Sequence, residues 1–368
     1  MSPAPRVTIR DIAREADMHF TTVSLALRNS PRLKAETRQR IQKLAASMGY
    51  QPDPMLAALN AYRQSRQPVH FQAALAWIHN WENPKDLYNC EEFHQYYLGA
   101  KERARARGYQ LEEFWLGEVD MTIERLHRIL RARNIRGVLL APQPQANAFL
   151  DLKYDELAAV AFGYSMQPAV LDLITNHHAH TMNLILEKVQ ELGYRRIGLC
   201  IPADWNAKVE NVWLSGMLVL QEMNPDLPRI PILWRRWLDA DIKPLKAWIR
   251  RHRPDVIISY NELAEELKKC GYKVPDDIGV ASLFVEENET HLSGVHQNDR
   301  LIGRKAADMV IDMLLRGETG IPPTPVRMLV EGRWNPGATL RDRRTPARAA
   351  RTSRSSTASR ITPQVARS

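Results

Sequence analysis

Apolar residues recur at helical spacing through the first fifty positions, in three short runs. Ile9, Ile12, Ala13 and Ala16 form the first; Phe20, Val23, Ala26 and Leu27 the second; Ile41, Leu44, Ala45 and Met48 the third. Thr8 three residues before Asp11 reads as a capping box with Asp in place of Glu or Gln. The first run breaks at Asp17-Met18-His19, where Asp tolerates left-handed backbone better than most residues. The third runs from about Ala35 to Met48 and is stopped by Gly49. Three short helices with a tight first turn predict a helix-turn-helix. Asp53-Pro54 then starts a further short helix, MLAALNAY, and Gln64 to Pro68 reads as a connector.

Beyond residue 70 the pattern changes to apolar runs alternating with amphipathic stretches. AALAWI (73–78), QLEEFWL, GVLLA, LAAVAF, VLDLI, RIGLCI, IPILW, DVIISY, IGVASL and a run near Val326–Val330 read as strands. Helices are expected through about Arg107, over His177 to Leu192, and over Asp299 to Leu315. Such alternation predicts parallel sheets, and nearly ten strands predict two lobes instead of one sheet.

Composition narrows the class. The 368 residues are 44% hydrophobic and 25% charged, ordinary for a globular protein with two or three domains. No apolar run has membrane-spanning length, and the N-terminus lacks a signal-type apolar core, so a cytoplasmic protein is expected. Cys90, Cys200 and Cys270 are too few and too scattered for a disulfide framework or metal knuckle. The net charge of +9 is uneven. Residues 1–66 hold eleven Lys or Arg against five Asp or Glu, residues 341–368 hold eight Arg against one Asp, and the remainder is net negative. A basic head and tail on an acidic body fits a nucleic-acid binder; a solvated face with a disordered tail fits equally well on charge alone.

The second helix, HFTTVSLALRN, places Thr21, Thr22 and Ser24 where helix interiors do not favour hydroxyls. A recognition helix in the major groove has use for them: hydroxyls donate to phosphates, and a Thr methyl or Phe ring packs on thymine methyls. Val23 and Leu27 are expected to face the core.

These residues resemble the DNA-binding head of the LacI/GalR family of bacterial transcription regulators. VTIRDIAREADMHFTTVSLALRN is followed by KAETRQRIQKLAASMGYQPDPMLAAL, giving the TVS motif, a third helix ending in GY and a Pro-containing hinge. The resemblance places base-reading residues at Phe20 and Thr21 and phosphate-contacting hydroxyls at Thr8, Thr22, Ser24 and Thr37; Arg28 and Lys34 occupy contact positions with different residue types. Leu25 stands where the family usually has an Arg beside TVS, which shifts specificity to apolar contact and shape or to Phe20, Thr21 and Arg32. His19 replaces the usual Ser cap. In the family the hinge helix pairs with its dimer mate and wedges a Leu into the minor groove; Leu59 matches it, with Leu56 as its neighbour.

The body resembles the family's periplasmic-binding-protein-like pair of lobes, through ELGYRRIGL, GYKVPDDIGVAS and GVHQNDRLIGRKAADMVIDML. The resemblance covers about residues 1–335 and implies a small-molecule effector, a sugar among the candidates, between the lobes. Several family positions differ. Trp213 stands three residues before Gly216 where sugar-binding members use Arg, Phe284 stands in LFVEEN where Asp is common, and Asn176 replaces an Asp. Trp81, Trp205 and Trp213 are candidates for stacking on a flat ligand, or for core packing. Asn261 and Glu262 follow a strand, where open sheets place ligands; Gln297 and Asp299 are further candidates.

No P-loop, GxSxG, HExxH or GxGxxG is present, and Glu112-Glu113 and Glu265-Glu266 read as solvated pairs. His177, His178 and His180 cluster in sequence, but neighbours on a helix point apart, so no metal or other cofactor is expected. The expected organisation is a helix-turn-helix head (1–52), hinge and linker (53–68), a two-lobed effector and dimerisation domain (69–338) and an Arg-rich disordered tail (339–368). The expected protein is a nucleoid-associated, homodimeric, operator-binding regulator, not an enzyme. The alternatives are an effector-independent DNA binder and a ligand-binding protein of the same body fold.

Overall fold

The computed structural model describes residues 7–27, 30, 33–50, 73–146, 148–235, 241–260 and 263–344. The head consists of α1 (Ile9–Glu15), α2 (Phe20–Leu27) and α3 (Ala35–Ser47). Thr8 caps α1 and closes the capping box: Asp11 N–H donates to Thr8 Oγ1 while Thr8 N–H donates to the Asp11 carboxylate at 2.9 Å. Asp17 turns the chain at φ 50°, as its residue type predicted. Ile12, Ala13, Val23, Ala26, Ile41 and Ala45 form the buried centre. One inward stripe per helix is enough to fix the motif.

The body carries two six-stranded sheets. The N-terminal lobe uses β1 (Ala73–His79), β2 (Tyr109–Trp115), β3 (Gly137–Leu140), β4 (Ala158–Phe162), β5 (Asp172–Asn176) and β11 (Arg327–Val330), in the order β11-β5-β4-β3-β1-β2. The C-terminal lobe uses β6 (Ile197–Ile201), β7 (Leu233–Trp234), β8 (Val256–Ser259), β9 (Gly279–Val285), β10 (Gly294–His296) and β12 (Arg333–Asn335), in the order β12-β10-β9-β8-β6-β7. All pairs are parallel except β10 with β12. Both faces of each sheet are covered, so the strands read as unbroken apolar runs. In β1, Leu75 and Trp77 face α5 (Glu91–Ala106) and α12 (Asp299–Arg316), while Ala76 and Ile78 face α6 (Ile123–Ala132). In the second lobe, Leu199 and Ile258 face α7 (His178–Glu191) and α9 (Val212–Met223), and Ile257 and Val280 face α10 (Lys243–His252) and α11 (Leu263–Lys269). The remaining α-helices among the described residues are α4 (Pro84–Asn89) and α8 (Ala203–Lys208).

The IPILW run is shorter than expected as a strand: only Leu233–Trp234 pairs. Pro231 has no N–H to donate to a ladder; its carbonyl instead accepts from the Trp248 indole at 2.8 Å.

The chain crosses between lobes three times, after β5, after β10 and after β11. The crossings are stitched together. His177 N–H donates to the Val330 carbonyl at 2.8 Å, and Asn298 Nδ2 donates to the Glu331 carbonyl at 2.7 Å. The third crossing is preceded by α12, which packs along α5. Gly99 and Gly303 allow backbone contact there: a Cβ on Gly303 would lie 2.0 Å from the Tyr96 carbonyl oxygen.

Candidate nucleic-acid interface and ligand cleft

At 100° per residue, α2 divides cleanly. Val23 and Ala26 are buried, while Phe20, Thr21, Ser24 and Leu25 lie on the outward side and Thr22 at its edge. Phe20 leaves 47% of its surface exposed, a large apolar ring with no core role. His19 precedes the helix and supplies the missing cap. Its Nδ1 accepts from the Thr21 hydroxyl at 2.8 Å and from the Thr21 N–H at 3.4 Å. Thr8 is exposed, Thr37 is half-buried in the first turn of α3, and Lys34 precedes that helix with no side-chain cap bond. The Thr8 donors hold the Asp11 carboxyl below its usual range. Arg28, Arg32 and Leu59 lie outside the described residues, as does the expected hinge helix.

Between the lobes lies a chamber of about 540 Å³, counted out to its open mouth. Aromatic residues dominate its wall: Phe93 and Phe162 from the first lobe, Trp205, Trp213 and Phe284 from the second. The rings are locked by one another. Phe284 stacks on Tyr260 at 5.1 Å with 7° between planes, and Trp213 meets both edge-on. Phe93 of α5 lies parallel to Trp205 of α8 at 6.1 Å, a ring pair that bridges the lobes. Lys208 sits over Trp205 at 5.2 Å and Trp81 at 5.9 Å, and burial lowers its pKa.

Among the described residues, four polar atoms of the chamber lining are buried without a protein partner: Gln143 Oε1, Asn176 Nδ2, His178 Nδ1 and Trp213 Nε1. Buried polar groups are nearly always hydrogen-bonded, so this quartet of acceptor and donor positions suits a hydroxylated ligand. Burial pushes the His178 imidazole down to about 3, which keeps it neutral.

Two cleft candidates from the sequence stand apart from the chamber lining. Gln297 does not line the chamber; it is buried behind it and its amide donates to the Leu283 carbonyl at 2.6 Å. Trp81 also lies outside the lining and fixes its indole on the Pro142 carbonyl at 2.8 Å, reaching the mouth only through Lys208. Trp205, Trp213 and Phe284 do line it; Asn261 and Glu262 lie outside the described residues. Phe93, Gln143 and Phe162 carry no sequence signal of their own. His177 and His180 both reach the Glu331 carboxylate, at 3.0 and 2.9 Å, joining two lobe crossings. Among the described residues no group of three His, Cys, Asp or Glu side chains is placed to hold a metal, and no helix is long and apolar enough to cross a membrane.

Comparison with known proteins agrees with both halves. Residues 8–53 match the bacterial regulatory proteins of the lacI family, and residues 186–340 match the periplasmic binding protein-like domain. The chain is 25% identical over 351 residues to the HTH-type transcriptional regulator CelR of Thermobifida fusca, covering 89% of this chain and 96% of that protein. Among solved structures, a CelR–cellobiose complex superposes with TM-score 0.54 at 20% identity, over 91% of this chain and all of that one. The lac repressor dimer bound to operator and the anti-inducer ONPF superposes with TM-score 0.53 at 17% identity, over 92% of this chain and all of that one. With the helix-turn-helix, the two lobes and their three crossings in place, the chain joins a helix-turn-helix domain of the lacI type to a periplasmic-binding-protein-like domain.

Proposed function

We propose that this protein is a homodimeric repressor, working in the cytoplasm, that binds a pseudo-palindromic operator and is modulated by a small ligand between its lobes. The observation that carries the DNA half is the outward face of α2, where an exposed Phe20 adjoins Thr21, Ser24 and Leu25. In this reading Phe20, Thr21 and Leu25 meet base edges, with Arg28 and Arg32 close by. Thr8, His19, Thr22, Ser24, Lys34 and Thr37 meet the backbone, and Leu59 opens the minor groove at the centre. Two heads on one dimer explain a symmetric site.

The ligand half rests on the four unpartnered polar atoms set among aromatic walls. The cellobiose bound by the CelR structure supports a sugar-like effector here. Binding couples to DNA only if the ligand prefers one lobe geometry, because a ligand of equal affinity shifts nothing. The Phe93–Trp205 pair spans the lobes and supplies contacts that differ between geometries.

A gel-shift series on full-length protein tests the reading, using duplexes enriched from a random pool. Thr22→Ala weakens binding to all sequences, Thr21→Ala changes base preference, and Leu59→Ala loses specific affinity while the body stays folded. Unchanged binding in all three sinks the DNA assignment.

A further inference from the structure

The chamber opens onto a second recess, and the two share Glu92 and Phe284 in their walls. This recess, of about 340 Å³, is acidic. Glu91, Glu92, Glu286, Glu287 and Asp299 line it, against Arg300 and His296. The two basic groups are engaged by residues other than Asp299. Arg300 donates to Glu102 and to Gln95, each at 3.1 Å, and His296 lies 3.6 Å from Glu287, with burial lowering its pKa. Asp299 is different. It is the first residue of α12, only 9% exposed, and its Oδ1 has no partner among the described residues. Burial, reinforced by the charge of Glu92, pushes its carboxyl well above the usual range. The α12 N-terminus offsets part of that cost through its dipole, but among the described residues no cation pairs with this carboxyl group. Lys208, a cation of the chamber wall, sits over Trp81 and Trp205.

Resting on the effector reading above, we propose that the ligand of this cleft is an amine-bearing hydroxylated ring, of the amino-sugar class, whose ammonium group lies between Asp299 and Glu92. The ring fills the aromatic chamber, where its hydroxyls meet Gln143, Asn176 and His178. The ammonium supplies the counter-charge that a neutral sugar lacks, and a sugar acid meets repulsion at the same place.

Calorimetric titration of full-length protein with glucose, glucosamine and glucuronate, and with cellobiose and the β-1,4-linked glucosamine dimer, tests this at pH 7 and moderate salt. The expected result is that an amine-bearing probe binds at least tenfold tighter than its neutral counterpart. Asp299→Asn lowers its affinity toward that of the neutral counterpart, so the ratio between the two probes falls to about one. Glu92→Gln, on another helix, reduces the preference in the same direction and serves if Asp299→Asn folds poorly. Neutral or acidic probes binding as tightly as the amine overturn the inference alone, as does a preference that survives both substitutions. Failure of every probe to bind overturns the effector reading along with it.

Discussion

His178 stands at the start of α7 with its ring edge-on to Trp213 at 5.6 Å, enclosed by the second lobe. Burial, helped by the charge of neighbouring His177, depresses its pKa to about 3. An unfolded chain restores the ordinary value near 6.5. Between these two values the unfolded state holds a proton that the folded state refuses, so stability rises with pH through this window and falls as the solution is acidified below about 6.5. Each unit is worth about 1.4 kcal/mol, so taking the protein from pH 7.5 to pH 5 costs about 2 kcal/mol from this one residue. His178→Gln isolates the contribution. Urea unfolding followed by tryptophan fluorescence, at pH 7.5 and pH 5, gives the difference. The wild type is expected to lose about 2 kcal/mol more than the variant on acidification. Parallel losses in the two proteins refute the reasoning, because they mean the imidazole is solvated or partnered.

Gly303→Ala drives a methyl group to 2.0 Å from the Tyr96 carbonyl oxygen and 2.8 Å from the Ala100 nitrogen, both backbone atoms that cannot rotate away. The loss of stability on urea unfolding is expected at or above the ~1–3 kcal/mol typical of overpacked cores. Arg107 bridges Asp308 at 2.8 Å and Asp312 at 2.9 Å across α5 and α12, yet the groups are partly exposed. Arg107→Ala is therefore expected to cost only about 1 kcal/mol or less, and less still in high salt. Asp11→Ala removes one half of the α1 capping box and keeps the Thr8 hydroxyl; a head stability loss of about 1 kcal/mol, read by circular dichroism of the head, is expected.

The head was legible because each of its helices buries a narrow stripe at a 3.6-residue period, with Thr8, Asp17 and Gly49 marking its boundaries. The central strands were legible for the opposite reason. Ile257 and Ile258 face opposite helical layers, so β8 has no polar side and reads as a solid apolar run. The three-residue strands β10 and β12 are too short for any period, and Pro231 disguises a loop as a strand. In the cleft, Trp213 and Phe284 stood out as apolar replacements of charged positions. Phe93, Gln143 and Phe162 could not, since they come from three separate elements of the first lobe and meet only when that lobe folds. Gln297 sits in the stretch of chain at a lobe crossing, where the bond its amide makes to the Leu283 carbonyl follows from tertiary structure and not from spacing.

Selection of bound duplexes from a random DNA pool by the full-length protein, at moderate salt, tests the central claim most directly. The account predicts enrichment of a two-fold symmetric motif whose half-sites change with Thr21→Ala. Enrichment of no motif, with or without the amine-bearing sugars present, would contradict it.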